Sequence, residues 1–278
     1  MYREIWRQVH QSVAQLNFFT QDKIKTISLT GFKVKSYLVT DDYVRNLSHY
    51  DHVEIRFVGK DGMTNHSSKK LTKAEFEKRM VVGLNDKLQN IVLIKLDHER
   101  LKNIPGLPLC EDCHTEIGEP IAVVGYKLNQ DNLAIKQGIL SSYYSSCGVH
   151  YLQVDASIKH GNAGSPVIRT ETGEVIGIIG HKLTETSQSY KRLKDIMNNN
   201  IQLLKRYQGR SSLEDIDPVQ VLIANQNQIK YITKEIYRTA SMGVGYALPS
   251  RQIVNFFKEN VIMEKVYSSN DKDTVSGF

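Results

Sequence analysis

The chain has 278 residues, 40% hydrophobic and 24% charged, enough apolar and mixed sequence to bury one or two cores and unlike the composition of a disordered chain. Its formal net charge of +6 comes from bases interleaved with acids, as in "TKAEFEKR" and "YKRLKD". No basic stripe alternates with aromatics, which argues against a nucleic-acid surface.

Helix-like spacing runs through the first 16 residues (Ile5, Val9, Val13), and then the period changes. From residue 26 to about 183 the chain is a series of short apolar or alternating runs, among them "TISLTGFKV", "VEIRFVG", "NIVLIKL", "EPIAVVGY" and "EVIGIIG", separated by Gly, Asn and Asp turns. Many short strands without alternating helices predict an all-β sandwich or barrel, with "CEDCHTEIG" as the bridge between two such units. Residues 187–240 break the pattern. Tyr190, Met197 and Leu204 recur every seven residues, beside Leu193 and Tyr207, so one face of a helix over 188–207 is apolar. Asp217 before Pro218 is a helix start, and Leu222, Ile229 and Ile236, with Ile232 alongside, give a second amphipathic helix. A turn of about ten residues between the two suggests an antiparallel hairpin. The strand "GVGYALP", the helix "SRQIVNFFKENVI" and a polar tail, expected to be mobile, complete the chain.

No apolar run approaches the ~20 residues of a membrane span, and "MYREIWRQVHQ" lacks the apolar core of a secretory signal. Three cysteines, odd and sparse in number, are expected to be free thiols, so the expected location is cytoplasmic, away from membranes. "CEDCH" (residues 110–114) has the look of half a zinc site or a c-type haem string. Nothing in the spacing brings Cys147 or His150 near as a fourth ligand, and no metal or other cofactor is expected.

"IKHGNAGSPVI" (residues 158–168) has the frame of a serine-peptidase nucleophile loop, which reads roughly G-[DN]-S-G-[GS]-P-[LV], with Ala163 at the nucleophile position. "GFKVKSYLVTDDYV" resembles the block around the catalytic histidine, and "NDKLQNIVLIKL" the block around the aspartate. "GEPIAVVGY", "QGILSS", "GEVIGI" and "GVGYALPS" continue the series in order. On these blocks, residues 12–262 resemble a trypsin-like serine peptidase domain of HtrA type. The resemblance implies a mainly β chymotrypsin-like fold: a double β-barrel with a helical-hairpin insertion and N- and C-terminal helices. The implied divisions are an N-terminal helix and first barrel (1–109), a second barrel (110–186), the hairpin (187–240), the end of the second barrel with a terminal helix (241–266), and a tail (267–278).

The same blocks assign all three triad positions, and all are substituted: Tyr43 for the histidine, Asn90 for the aspartate and Ala163 for the serine. Acyl transfer needs an oxygen or sulfur nucleophile, an imidazole to carry its proton and a carboxylate to orient that imidazole. A methyl group cannot attack, and a phenol is a poor base near neutral pH. The backbone N–H groups of Gly161 and Ala163 could still form an oxyanion hole, which needs no side chain. Ser165 reads as a turn residue, Asp41 and Asp42 as turn caps, and His160 and His181 as cleft-side residues. The implied specificity pocket involves Ser157, His181 and Tyr246, with no acid at Ser157 to select basic side chains.

The resulting expectation is a catalytically inactive pseudoprotease that holds a protein or peptide partner. The alternative is a working serine endopeptidase in which Ala163 replaces the nucleophile; a nucleic-acid role is weaker than either. Partner contact is expected on the hairpin, through Tyr190, Met197, Leu204, Leu222, Ile229 and Ile236. Asn200 and Asn225 fall on those faces and would be poorly satisfied in a sealed seam. The partner's identity and the oligomeric state stay open.

Overall fold

A computed structural model describes residues 1–81, 91–127, 130–146, 148–159, 161–180, 188–209, 217–240 and 244–261. The chain forms two compact units, Met1–His181 with Gly243–Phe278, and Lys182–Met242.

The first unit begins with α1 (Tyr2–Val9), which buries Ile5 and Val9, one turn apart. A 3-10 turn (His10–Ser12) leads into β1 (Val13–Phe19). Helical spacing was expected to run to residue 16, but the strand starts at Val13. In it Ala14, Leu16 and Phe18 alternate with Gln15 and Asn17, and both faces are covered, so that Val13 through Phe18 are all buried. β2 (Lys25–Val34), β3 (Tyr37–Asp41), β4 (His52–Val58), β5 (Asn65–Thr72), β6 (Met80–Val81) and β7 (Ile91–Lys95) complete an antiparallel sheet of order β5-β4-β1-β2-β3-β7-β6. This is a seven-stranded half-barrel rather than a closed six-stranded one; among the described residues its edge strands β5 and β6 do not pair.

α2 (Lys73–Arg79) is started by a reciprocal cap, in which Thr72 Oγ1 accepts from Glu75 N–H and Glu75 Oε2 accepts from Thr72 N–H at 2.8 Å. It drops Phe76 into the core, edge-on to Phe18 at 5.7 Å, and Tyr50 meets the same Phe18 ring at 5.1 Å. Burial, with Glu77 nearby, pushes the Tyr50 phenol up to about 12.

The connector between the sheets is tied down by a buried amine. Lys33 Nζ donates to the carbonyls of Leu101, Lys102 and Ile104 at 2.7–2.9 Å, closing the end of α3 (Glu99–Lys102) onto β2. Further along, Cys110 and Cys113 form a disulfide with Cα atoms 5.6 Å apart. The expectation of free thiols was therefore wrong for this pair: a count of cysteines cannot show that a short turn brings two together. The pairing also removes the cysteine argument for a reducing compartment. Cys147 lies outside the described residues.

β8 (Pro120–Tyr126), β9 (Leu133–Ser146), β10 (Val149–Ala156), β11 (Pro166–Arg169), β12 (Val175–Ile179) and β13 (Val244–Pro249) form a closed antiparallel barrel of order β10-β13-β12-β11-β8-β9. Closure removes both edges. α6 (Ser250–Phe256) and the π-helical turn Phe257–Val261 follow, with Ser250 Oγ donating to Cys110 O at 2.7 Å. In the second unit, α4 (Gln188–Lys205) and α5 (Pro218–Ala240) form the expected hairpin. Asp217 Oδ1 accepts from Val219 N–H at 2.8 Å, as its place before Pro218 implies. No helix among the described residues is long and apolar enough to cross a membrane.

Candidate functional site

The loop from Lys159 to Ser165 joins β10 to β11 and is hung on both β units. Thr30 of β2 is its anchor: Thr30 N–H donates to Ala163 O at 3.1 Å, and Thr30 Oγ1 donates to Gly161 O at 2.8 Å. Thr40 Oγ1 donates to Thr30 O at 2.7 Å. From the barrel side, Gly164 N–H donates to Ile179 O at 2.8 Å, and Asn162 Nδ2 to Tyr126 O at 2.7 Å. Gly164 has no substitute in this frame. Its φ is +84°, and a Cβ there would sit 1.9 Å from Thr30 O.

Within this loop the backbone donors divide into two sets. Asn162 N–H bonds to Lys159 O and Ser165 N–H to Asn162 O, whereas no acceptor among the described residues takes the N–H of Gly161 or Ala163. Gly161 has φ +96°. The two uncommitted amides are those the sequence marks as an oxyanion hole.

Ala163 is 7% exposed and belongs to the core cluster of the first sheet; Tyr43 packs half-buried against the same cluster. Tyr43 lies in a 3-10 turn (Asp42–Asn46) capped by Asp41, whose Oδ1 accepts from Tyr43 N–H at 2.9 Å. The capping role read for Asp41 agrees with this geometry. β7 begins opposite Asp41, with Ile91 as its partner. Asn90, His160, His181 and the tail 267–278 lie outside the described residues. Ser165 is fully buried, with its hydroxyl against Gly125 and without a hydrogen-bond partner among the described residues, so it is a packed turn residue with no path to a substrate.

Of the pocket residues, Ser157 is exposed just past β10, and Tyr246 is half-buried on β13, with its ring 5.0 Å from that of Tyr144. Ile158 approaches Gly245 so closely that a Cβ on the glycine would lie 2.6 Å from Ile158 Cγ1. Ser157 and Tyr246 each adjoin one partner of that contact in the chain.

Lys136 was not singled out from the sequence, where it is one lysine in the strand run "AIKQGIL". Its amine donates to Asn162 Oδ1 at 2.5 Å, and the same oxygen accepts from Lys159 N–H at 2.8 Å. Burial pushes the amine down to about 8, and repulsion from Lys159 and Lys127 adds to the shift. Asn162 is thus gripped at both ends of its amide, which fixes the residue between the two free N–H groups.

The stripe assigned to partner contact is divided by the structure. On α5, Leu222, Ile229 and Ile236 are 49–63% exposed. On α4, Met197 is buried and Tyr190 and Leu204 are half-buried, so these three do not present a free surface. The exposed apolar residues of α4 are instead Leu193, Ile196 and Leu203. The helix carries two adjacent apolar rows, and spacing alone does not say which is covered.

No three His, Cys, Asp or Glu side chains gather into a metal-binding group among the described residues. Cys110 and Cys113 are spent on each other, and His114 is exposed beside Glu116 at 3.7 Å.

Residues 30–178, just over half of the chain, match the model of the trypsin-like peptidase domain. Among curated proteins, the chain is 27% identical over 111 residues to the serine protease Do-like HtrA of Bacillus subtilis (strain 168), covering 36% of this chain and 24% of that protein. It is 31% identical over 120 residues to the serine protease Do-like HtrA of Lactococcus lactis subsp. lactis (strain IL1403), covering 39% and 28%. The chain thus spans about a quarter of the length of these relatives. Among solved structures it superposes on a serine-to-alanine form of the HtrA-type protease AlgW with a tripeptide at TM-score 0.56 and 16% identity, covering 93% of this chain and 62% of that one. It also superposes on a protease from M. tuberculosis in its active form at TM-score 0.54 and 11% identity, covering 93% and 85%.

Proposed function

Because the chain belongs to the trypsin-like peptidase domain family, we propose that it is a catalytically inactive member that keeps the binding half of the peptidase loop and has lost the reacting half. The observation that carries this reading is the state of residues 159–165. Among the described residues the loop is bonded at most of its backbone groups, the Gly161 and Ala163 amides meet no acceptor, and a methyl group stands at the nucleophile position. Two such N–H groups, aimed at one point, would bind a peptide carbonyl or carboxylate without any nucleophile. The substituted positions Tyr43 and Asn90 belong to the same reading, since no group there replaces the imidazole and carboxylate of acyl transfer. The protein then acts as a scaffold for a peptide or protein, with Ser157, Ile158 and Tyr246 beside the bound chain.

The test is the variant Ala163→Ser, assayed against casein and fluorogenic peptide panels and probed with a fluorophosphonate. The expected result is no turnover and no labelling, because the proton acceptor is missing along with the serine. Turnover by this variant would overturn the proposal and establish a peptidase in which one residue had been replaced.

A further inference from the structure

α4 and α5 each carry a row of residues in strict alternating steps of three and four. On α4 the row is Leu193, Ile196, Asn200 and Leu203; on α5 it is Leu222, Asn225, Ile229, Ile232 and Ile236. This is the spacing of a coiled-coil seam, yet neither row is covered: the seven apolar members are 40–63% exposed and both asparagines are exposed. The faces turned away from solvent are different ones, with Met197, Asn198, Ile201 and Leu204 on α4 and Val219, Ile223, Gln226 and Lys230 on α5. At 100° per residue, each exposed row lies about a quarter to a third of a turn from its covered face, in the same sense. In two antiparallel helices an offset of the same sense brings both rows to one side of the pair.

The rows also match in level. The hydrogen bond from Lys230 Nζ to Asn198 Oδ1, 2.6 Å long, sets the heights of the two helices. At that setting Asn200 and Asn225 lie less than one turn apart along the pair. The exposed side of the hairpin is therefore an apolar plate crossed by a single amide layer.

We propose that this plate pairs with the same plate of a second copy of the chain, making a four-helix bundle between two molecules. This rests on the scaffold reading above and names the partner of the hairpin. The amide layer selects the occupant. A partner with a purely apolar face would leave two side-chain amides without hydrogen bonds, whereas a second copy supplies two more in the same layer, each with donor and acceptor. A two-fold axis brings like layers together without further adjustment, and one polar layer in an apolar seam fixes register. The area is also sufficient. The exposed apolar side chains of the two rows present on the order of 700 Å², against ~800 Å² per partner in a stable interface.

The experiment is sedimentation equilibrium of the full chain over a range of concentrations, with the variants Ile229→Glu and Leu222→Glu. The chain is expected to dimerise reversibly from its monomer mass of 31.7 kDa, and each variant to weaken association at least a hundredfold while keeping its circular dichroism and melting temperature. Both positions are exposed, so loss of fold is separable from loss of pairing. The double variant Asn200→Leu with Asn225→Leu is expected to associate more tightly but to spread over several oligomeric sizes. A chain that stays monomeric up to about 100 μM, or a dimer that survives both glutamate variants, would overturn the proposal. Neither outcome bears on the Ala163→Ser assay, which reads the cleft alone.

Discussion

The loop at 159–165 and the helices of the hairpin, 188–205 and 218–240, are built in opposite ways, the first buried and polar, the second exposed and apolar along one row of each helix. Among the described residues, the loop spends most of its polar groups inward, on Thr30, Tyr126 and Ile179, and leaves two amides without an acceptor. The hairpin covers one face of each helix, mainly apolar on α4 and mixed on α5, and leaves an apolar row of each in water. A site made of backbone donors needs rigidity, because a hydrogen bond weakens steeply with misalignment. A site made of aliphatic side chains needs only area, because burial is non-directional. The two regions should therefore differ most in how much stability a single substitution removes.

The strongest way to press that contrast is Gly164→Ala. The added methyl meets Thr30 O and Thr40 Oγ1 in a backbone conformation that side chains avoid. We expect a loss of more than ~4 kcal/mol in urea unfolding; a loss below ~1 kcal/mol would mean that the loop is not held as described.

A smaller effect comes from Lys136. Its folded amine releases its proton at about 8, while the unfolded lysine holds one to about 10.5. Between these values the unfolded state binds more protons, so stability rises with pH. The expected gain from pH 7.5 to 9.5 is roughly 2 kcal/mol, lost in Lys136→Met. Lys33, also lowered by burial, acts in the same direction and remains in the variant. Above pH 10 the buried phenols of Tyr50 and Tyr126, both raised mainly by burial, act in the opposite sense. Equal slopes for the two proteins below pH 10 would show that the amine is not confined against Asn162.

The smallest effect is expected on the hairpin. Leu222→Gln, measured at a concentration where the chain is monomeric, should change stability by less than ~0.5 kcal/mol. A larger loss would mean that the row is covered within one molecule.

What could be read from the sequence follows the same division. The nucleophile loop is legible because its glycines and the following proline answer to local geometry. Gly164 stands where φ is positive, and its neighbours repeat a known frame one residue from Ala163. The hairpin was legible through Pro218 and its seven-residue spacing. Which row packs inward was not, because Met197 and Ile196 are adjacent apolar residues and only three-dimensional packing separates them. β1, by contrast, could have been found, because Gln15 and Asn17 alternate with Ala14, Leu16 and Phe18 at the period of a strand. α2 could have been found, since "TKAE" ahead of Phe76 is a capping box before an apolar residue. Lys136 depends on contacts that no local pattern announces, whereas the Cys110–Cys113 pair carried a local signal in its C-x-x-C spacing.

Thr30 has a consequence for kinetics. It bonds to Gly161 and Ala163 from a sequence distance of more than 130 residues, and its hydroxyl also accepts from Tyr126 N–H, 96 residues away. Closing such long loops carries a large entropic cost that is repaid only when both ends are already in place. The loop is therefore expected to form after the first sheet and the barrel, as a late step of folding, which φ-values at Thr30 near zero would bear out. On the proposed reading, a peptide held by the Gly161 and Ala163 amides would bind only the completed state and would therefore stabilise both β units at once, although it would touch a few residues of one turn.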